Sequence, residues 1–310
     1  MATDQHRLAV VLVSWNARDY LEKCLSSWYQ YAGDLDAHLW VVDNHSTDGS
    51  VEMVERCFPQ VQLLCNAENA GFARACNQGI RCSSSDYILL LNNDCELIDR
   101  CIDPLLQGMD QDPQIGVAGP ILLHPNGAVQ RAGGERVSLS RLLQEQLLFR
   151  AASRGIGSIE EVRRRYGGAG HFATGFVSGA CMMIRRSMLP RTGLLREDFF
   201  MYGEDVEFCS RAQKNGFKTV VFSNAWIVHH KGRSAVKNLE PALRASVINH
   251  VRLIAEQQGR AAAIPALVIY FFGSLFRLLL SCLRLDRRCR AWFQMLCRYH
   301  RIIKTVAEKV

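Results

Sequence analysis

Short β-rich runs and stretches of helical spacing alternate through the first hundred residues, and that alternation limits the possible folds more than any other feature. "LAVVLVSW" (residues 8–15) is an almost continuous apolar run, the pattern of a strand buried on both faces. "ARDYLEKCLSSWYQY" follows, with Tyr20, Leu21, Cys24, Leu25 and Trp28 at helical spacing. "HLWVVDN" predicts a second strand, "STDGSVEMVERCF" a capped turn and a second helix, and "VQLLCN" a third strand. "GFARACNQGIRCS" predicts a third helix and "DYILLLNND" a fourth strand. Strand–helix repeats of this length make parallel βαβ units. The expected class is therefore α/β, a doubly wound, mostly parallel sheet flanked by helices. Ligands bind such sheets at the carboxyl ends of the strands.

Those ends are polar. In "YILLLNNDCEL" four apolar residues, Ile88 to Leu91, run straight into Asn92, Asn93 and Asp94. A surface turn accounts for one such end, because Asn and Asp are good turn formers. Asp43, however, follows the second strand, and Asn66 and Asn69 follow the third. Three successive strands thus deliver polar groups to one edge, which is the pattern of a site. A carboxylate framed by amides suits a hard divalent cation, Mg2+ or Mn2+, and such a cation would hold a diphosphate. Ser14 and Asn16 in "VSWN" and Asp43 in "VVDN" supply the polar groups a nucleoside needs. Asp43 can accept from a base N–H or a ribose hydroxyl. "GFAR" brings Gly71 and Arg74 toward the same nucleotide, although packing explains Gly71 nearly as well.

From Val117 the pattern changes. "GVAGPILLHPNG" and "VQRAGGERVSL" predict short strands and turns, and residues 142–170 a charged helix and a mobile loop. "FVSGACMMIRRSML" predicts a strand and a helix start. "FFMYGEDVEFCSRAQKNGF" predicts a helix that opens at Gly203-Glu204-Asp205. A helix start favours the anionic form of Glu204 and Asp205, so capping is one use for them. The five largely apolar or aromatic residues before them enclose the pair more than a cap requires. "KTVVFSNAWIVHHKGRS" reads as a last strand or pair of strands ending in His229 and His230, before a small basic loop suited to a phosphate. An acid-rich metal site, a nucleoside carboxylate and a separate enclosed acid fit group transfer from a nucleotide. The acid would deprotonate an attacking hydroxyl while the metal neutralises the departing diphosphate.

The net charge of +7 raises the question of nucleic acid, but the arginines and lysines crowd the C-terminal segment, from Arg277 to Lys304, and the first half shows no aromatic-basic interleaving of an RNA reader. Nucleic acid is therefore not expected as a partner. Residues 261–276 carry no charge, and Arg277, Arg284 and Arg288 follow on one side of a helix. The run is marginal for a membrane span, which needs about 20 apolar residues. An amphipathic helix in the plane of an anionic membrane surface is the expectation, with a true span as the second option. A core helix or the interface of a homo-oligomer are the other uses of such a segment. The twelve cysteines are scattered without a C-x-x-C, and "MATDQHRLAVVLVSW" lacks the layout of a secretory signal. Reduced thiols in a reducing, cytoplasmic compartment are expected, and a zinc site is not.

Taken together, "VVLVSWNARDYLEKCLSS", "VVDNHSTDGS", "NAENAGFARACNQGI", "LLLNNDCEL", "VSGACMMIRRSML", "FFMYGEDVEFCSRAQKNGF" and "IVHHKGRS" resemble glycosyltransferase family 2, in its rhamnosyltransferase-like bacterial branch, with a GT-A fold. The matches cover about residues 8–234. The resemblance implies inverting transfer from a nucleotide-sugar. Asp43 would match the nucleoside-binding acid, and Asn92-Asn93-Asp94 the D-x-D element, with Asp94 as metal ligand. Asp205 would match the base of the E-D motif that it forms with Glu204, and His229 the late histidine on the metal or diphosphate. Asn92 departs from a strict D-x-D and is a weaker, neutral ligand. Sugar and acceptor contacts are expected from Gly179 and Ala180 in "VSGAC" and from residues 142–170. Residues 1–240 would form the GT-A domain, with a nucleotide half to about residue 116 and an acceptor half to residue 240. Residues 241–310 would form the membrane-associating segment.

Two other functions fit parts of the pattern. A sugar-1-phosphate nucleotidyltransferase should show a Gly-rich loop and downstream Lys near the N-terminus to hold a triphosphate, where this chain has "VSWNARDYLEKC". A non-catalytic nucleotide-sugar-binding assembly protein should have lost the base, and Asp205 is present. The expected donor is a UDP- or dTDP-sugar. The expected acceptor is a glycan or lipid-linked intermediate of cell-surface polysaccharide synthesis, reached peripherally at the inner face of the bacterial plasma membrane.

Overall fold

The structure, a computed structural model, describes residues 6–146, 170–230, 239–283 and 289–310. By their internal contacts the described residues divide into two units. The first comprises residues 6–135, 170–200 and 204–230; the second comprises residues 136–146, 201–203, 239–283 and 289–310.

The first unit begins with the predicted alternation: β1 (Leu8–Ser14), α1 (Arg18–Tyr31), β2 (Ala37–Asp43), α2 (Ser50–Cys57), β3 (Gln62–Cys65), α3 (Phe72–Arg81) and β4 (Tyr87–Asn92). Leu8 to Leu12 and Ile88 to Leu91 are almost wholly buried, as continuous apolar strands demand. Each such side chain contributes roughly 1.5–3 kcal/mol on burial, most of it offset by chain entropy. Leu21, Cys24, Leu25 and Trp28 form the buried stripe of α1. α3 starts after Gly71, whose φ of +82° suits glycine. A Cβ there would also lie 2.9 Å from the Phe200 ring, so packing accounts for this glycine.

The sheet continues through β5 (Cys95–Leu97), α4 (Ile102–Gln111), β6 (Ile115–Leu123), β7 (Val129–Gln130), β8 (Gly133–Gly134), β9 (His171–Ala173), β10 (Phe176–Val177), β11 (Cys181–Arg185) and β12 (Lys218–His229). Among the described residues ten strands form one sheet, with the path β3-β2-β1-β4-β11-β6-β12-β5 and with β7 and β9 on its margins. β1, β2, β3, β4, β6 and β12 all run the same way. β11 lies antiparallel between β4 and β6 because it starts at the carboxyl edge, with Cys181 opposite Leu91, and can only run back from there.

Residues 115–123, expected as short strands and turns, form one fully buried central strand. Pro120 is tolerated inside it because pairing with β11 stops at Ala118 and pairing with β12 shifts register between Phe222 and Trp226. All twelve cysteines are unpaired.

The second unit is helical, built from α5 (Leu139–Gln146), α7 (Leu239–Gln258), α8 (Ala263–Leu283), α9 (Cys289–Cys297) and α10 (Tyr299–Lys309); α6, Glu204–Lys214, belongs to the first unit. Val251, Ile254, Ala266, Tyr270, Met295 and Ile302 are among its core residues. Residues 260–283 form a helix long and apolar enough to cross a membrane. Ile264, Val268, Phe272, Phe276, Leu279 and Leu283 are all exposed, and their spacing of three and four residues places them along one face.

Arg277, expected with Arg284 and Arg288 on one side of an amphipathic helix, is engaged within the helical unit. Its guanidinium donates to Gln146 Oε1, the carbonyl of Glu145 at 3.3 Å and that of Gly273 at 3.1 Å, and lies over the Trp292 ring. Glycine at 273 and the amide of Gln146 give it a polar niche on the core side. Arg284 and Arg288, like the "KGRS" loop and most of residues 142–170, lie outside the described residues.

Candidate active site

Parallel register brings the strand ends level. Ser14 pairs with Asp43 across β1 and β2, and Val13 with Asn92 across β1 and β4. Asp43 is buried; its Oδ2 accepts the Ser46 N–H at 2.8 Å, while Oδ1 has no hydrogen-bond partner among the described residues. A buried oxygen left unmet costs about 1–3 kcal/mol, so a donor from a ligand is the natural complement. Asn93 Nδ2 reaches the buried Ser14 hydroxyl at 3.4 Å. Asn16, at φ +49°, uses its side-chain oxygen to accept from Thr47 N at 2.8 Å, which ties the loops after β1 and β2 together. Asn69 Oδ1 accepts from Gly71 N at 3.0 Å, and Arg74 is exposed on the first turn of α3. Asn66 is engaged inside the protein, exchanging amide bonds with Gln78 and donating to Asn44.

His229 Nε2 lies 3.2 Å from Asp94 Oδ1, and both side chains are largely buried. Two ligands at adjacent octahedral positions, each about 2.1 Å from an ion, are about 3.0 Å apart, so the pair fits a Mg2+- or Mn2+-sized cation. Cys95 Sγ lies in the same cluster. Burial holds its thiol well above the usual range, and it donates to the Ala180 carbonyl at 3.2 Å. Next to it, His230 Nε2 pairs with Glu96 at 2.9 Å, so His229 is the histidine turned to Asp94.

The third group stands at the start of α6. Asp205 Oδ2 accepts the Gly179 N–H at 3.1 Å and Oδ1 the Val206 N–H at 2.8 Å. Burial raises its pKa, while these two N–H groups and the charge of Arg131 act in the opposite sense. Glu204 is more deeply buried, its Oε2 has no partner among the described residues, and burial followed by the Asp205 charge pushes its pKa up. Burial raises both acids of the coupled pair, and the charge of Asp205 adds to the rise at Glu204. Glu207, the next acid of α6, is spent on Arg211 at 2.6 Å.

One dipeptide joins the two centres. Gly179 donates to Asp205, and the carbonyl of the next residue, Ala180, accepts Asn92 N at 2.8 Å. Acid and strand end are therefore fixed to neighbouring peptide units.

The sequence matches the model of Glycosyl transferase family 2 over residues 9–193, more than half of the chain. The chain belongs to glycosyltransferase family 2. Within that family it is rhamnosyltransferase-like. It is 29% identical over 238 residues to the N-acetylglucosaminyl-diphospho-decaprenol L-rhamnosyltransferase of Mycobacterium tuberculosis, covering 73% of this chain and 77% of that one. It is 26% identical over 213 residues to the low-salt glycan biosynthesis hexosyltransferase Agl10 of Haloferax volcanii, covering 67% and 62%. The fold is GT-A-like. The mannosyltransferase PcManGT of Pyrobaculum calidifontis, solved with GDP-Man and Mn2+, superposes with a TM-score of 0.56 at 16% identity, over 99% of this chain and 88% of that one. GalNAc-T7, solved with UDP, GalNAc and Mn2+, gives 0.57 at 15%, over 81% and 48%.

For this family 2 glycosyltransferase, sequence reasoning named the ends of the constellation but missed what holds them. Gln130, buried on a two-residue strand, accepts from or donates to three groups around His229 and was not singled out. Its only sequence signal is a polar residue in "AVQRAGG", which also suits an exposed turn.

Proposed function

We propose that the chain is an inverting transferase that moves a sugar, rhamnose or another hexose, from a UDP- or dTDP-sugar to a hydroxyl of a lipid-linked glycan. The observation that carries this reading is the Gly179–Ala180 dipeptide, which holds the Asp205 carboxylate beside the Asn92–Asp94 strand end. The nucleoside lies over Ser14, Asp43 and Asn93, and the unmet Asp43 Oδ1 takes a donor from it. Arg74 and the loop from Asn69 to Gly71 line the same nucleotide, and Asn16 shapes its floor.

Asp94 and His229 hold a divalent cation, Mg2+ or Mn2+, with Asn92 as an outer, weaker partner. When bound, that cation supplies positive charge for the departing diphosphate. Asp205 accepts the proton of the acceptor hydroxyl as its oxygen bonds to the anomeric carbon, and the bond from that carbon to the diphosphate oxygen breaks on the opposite face. The products are the glycosylated acceptor with inverted configuration, a nucleoside diphosphate and a proton on Asp205. Glu204, uncharged, keeps a second negative charge away from the base. Gly179, packed beside Phe72 and Asp205, and Ala180 after it stand on the side of the base where the sugar and acceptor come in.

The relative's acceptor, an N-acetylglucosaminyl-diphospho-decaprenol by its name, supports a lipid-linked acceptor here. So does the exposed apolar face of α8, which suits bedding in the plane of an anionic membrane surface. The enzyme then works peripherally at the cytoplasmic face of the bacterial plasma membrane, in cell-surface polysaccharide synthesis. Calorimetry with UDP, dTDP and their sugars, with and without Mn2+, tests the donor site. Metal-dependent binding of one of them is expected, and no binding by folded protein would overturn the reading.

A further inference from the structure

We propose that Gln130 is a positioning residue that fixes the imidazole tautomer of His229 so that its Nε2 lone pair is free for a divalent cation shared with Asp94. The inference rests on the metal site proposed above and adds what prepares it.

Gln130 is buried, on β7, opposite Leu122 of β6. Its Nε2 donates to the Leu123 carbonyl at 2.8 Å and to the His229 carbonyl. Both amide hydrogens are thereby used, and the reverse orientation of the amide would set its oxygen against two carbonyl oxygens. The orientation is fixed, so Oε1 can only accept. The one ring atom it meets is His229 Nδ1, at 3.2 Å, and Nδ1 must therefore carry the hydrogen.

A neutral ring with its hydrogen on Nδ1 has a bare lone pair on Nε2. Nε2 lies 3.2 Å from Asp94 Oδ1 without a hydrogen bond between them, and a carboxylate oxygen is also an acceptor. Two acceptors held this close repel each other unless a positive charge stands between them. Gln130 thus leaves Nε2 and Asp94 Oδ1 as a pair of ligands. It acts through the bond to the far ring nitrogen that metal-binding histidines commonly make. β12 ends at His229, and Val228 opposite Leu123 is its last pair with β6. The two carbonyl bonds of Gln130 therefore also hold the ring's backbone where the ladder stops.

The test uses the full chain in two readouts. Nitrogen NMR of the metal-free wild type, at a pH where the ring is neutral, should report His229 as the Nδ1–H tautomer. Finding Nε2–H there would overturn the proposal whatever the variants do. Calorimetry of Mn2+ in the presence of UDP then compares Gln130→Met, which removes the acceptor, with Gln130→Glu, which as a buried neutral acid keeps an acceptor facing Nδ1 and one O–H donor for the carbonyls. Met should mix the tautomers and weaken Mn2+ binding about 10–100-fold, and Glu should retain both properties. Equal loss in both variants, or none in Met, would mean that Gln130 only braces the strands. Wild type that binds UDP but no Mn2+ would overturn the metal site itself, and with it the purpose assigned to Gln130.

Discussion

Asp205 Oδ2 accepts the backbone N–H of Gly179 at 3.1 Å, which pins the carboxyl group to the residue before Ala180, where the strand end of Asn92 is also tied. A base held in this way keeps its position when its charge is removed. Asp205→Asn should therefore lower kcat by about 10²–10⁴-fold with the Kd for the nucleotide unchanged. Steady-state kinetics paired with calorimetry checks both halves, and retained turnover would put the base elsewhere.

Asp43 makes a separate prediction. Its Oδ1 is buried and unmet, so Asp43→Asn places an N–H where the nucleoside needs an acceptor. Donor affinity should fall by about ten- to a hundredfold, the equivalent of roughly 1.4–3 kcal/mol. Equal affinity in titrations of the two proteins would remove Asp43 from the nucleoside site.

Glu204 gives a pH dependence whose sign follows from its burial. Its folded pKa is raised above the unfolded value of about 4.3. Below that value both states hold the proton and Glu204 costs nothing. As pH rises from there toward the folded pKa, the unfolded chain ionises first and stability is lost; above the folded pKa the loss is complete. Glu204→Gln escapes this loss, so its stability relative to wild type should climb with pH across that window. Thermal melts at several pH values read the slope; a difference that stays flat would mean that Glu204 titrates normally.

Much of this was legible in the sequence because it depends on local pattern. Continuous apolar strands such as Ile88 to Leu91 can only be central, and the residues after them can only lie at the carboxyl edge. What escaped depends on distant partners. Nothing in "CMMIR" states that β11 runs antiparallel; that follows from where Gly179 and Ala180 deliver it. Gln130 meets His229 across 99 positions. Helical spacing puts Arg277 on one face with Arg284 and Arg288 without saying what covers it, and Gln146 and Trp292 do.

The exposed face of α8 predicts how the chain meets lipid. Phe272→Glu with Leu279→Glu removes two apolar side chains from that face without touching the core of the helical unit. Sedimentation with anionic vesicles should show binding weakened about a hundredfold or more, since burying each side chain is worth roughly 1.5–3 kcal/mol. Unchanged partition would leave the face to another partner.

Transfer itself is the most direct test of the account. Purified protein would be mixed with UDP- and dTDP-sugars, including a rhamnose donor, and a lipid-diphosphate-linked sugar acceptor, with Mn2+ or with chelator, and the anomeric configuration of the product determined. The account predicts one donor consumed only with metal, a product of inverted configuration, and no product from Asp205→Asn. A product with retained configuration, or equal turnover by Asp205→Asn, would contradict it.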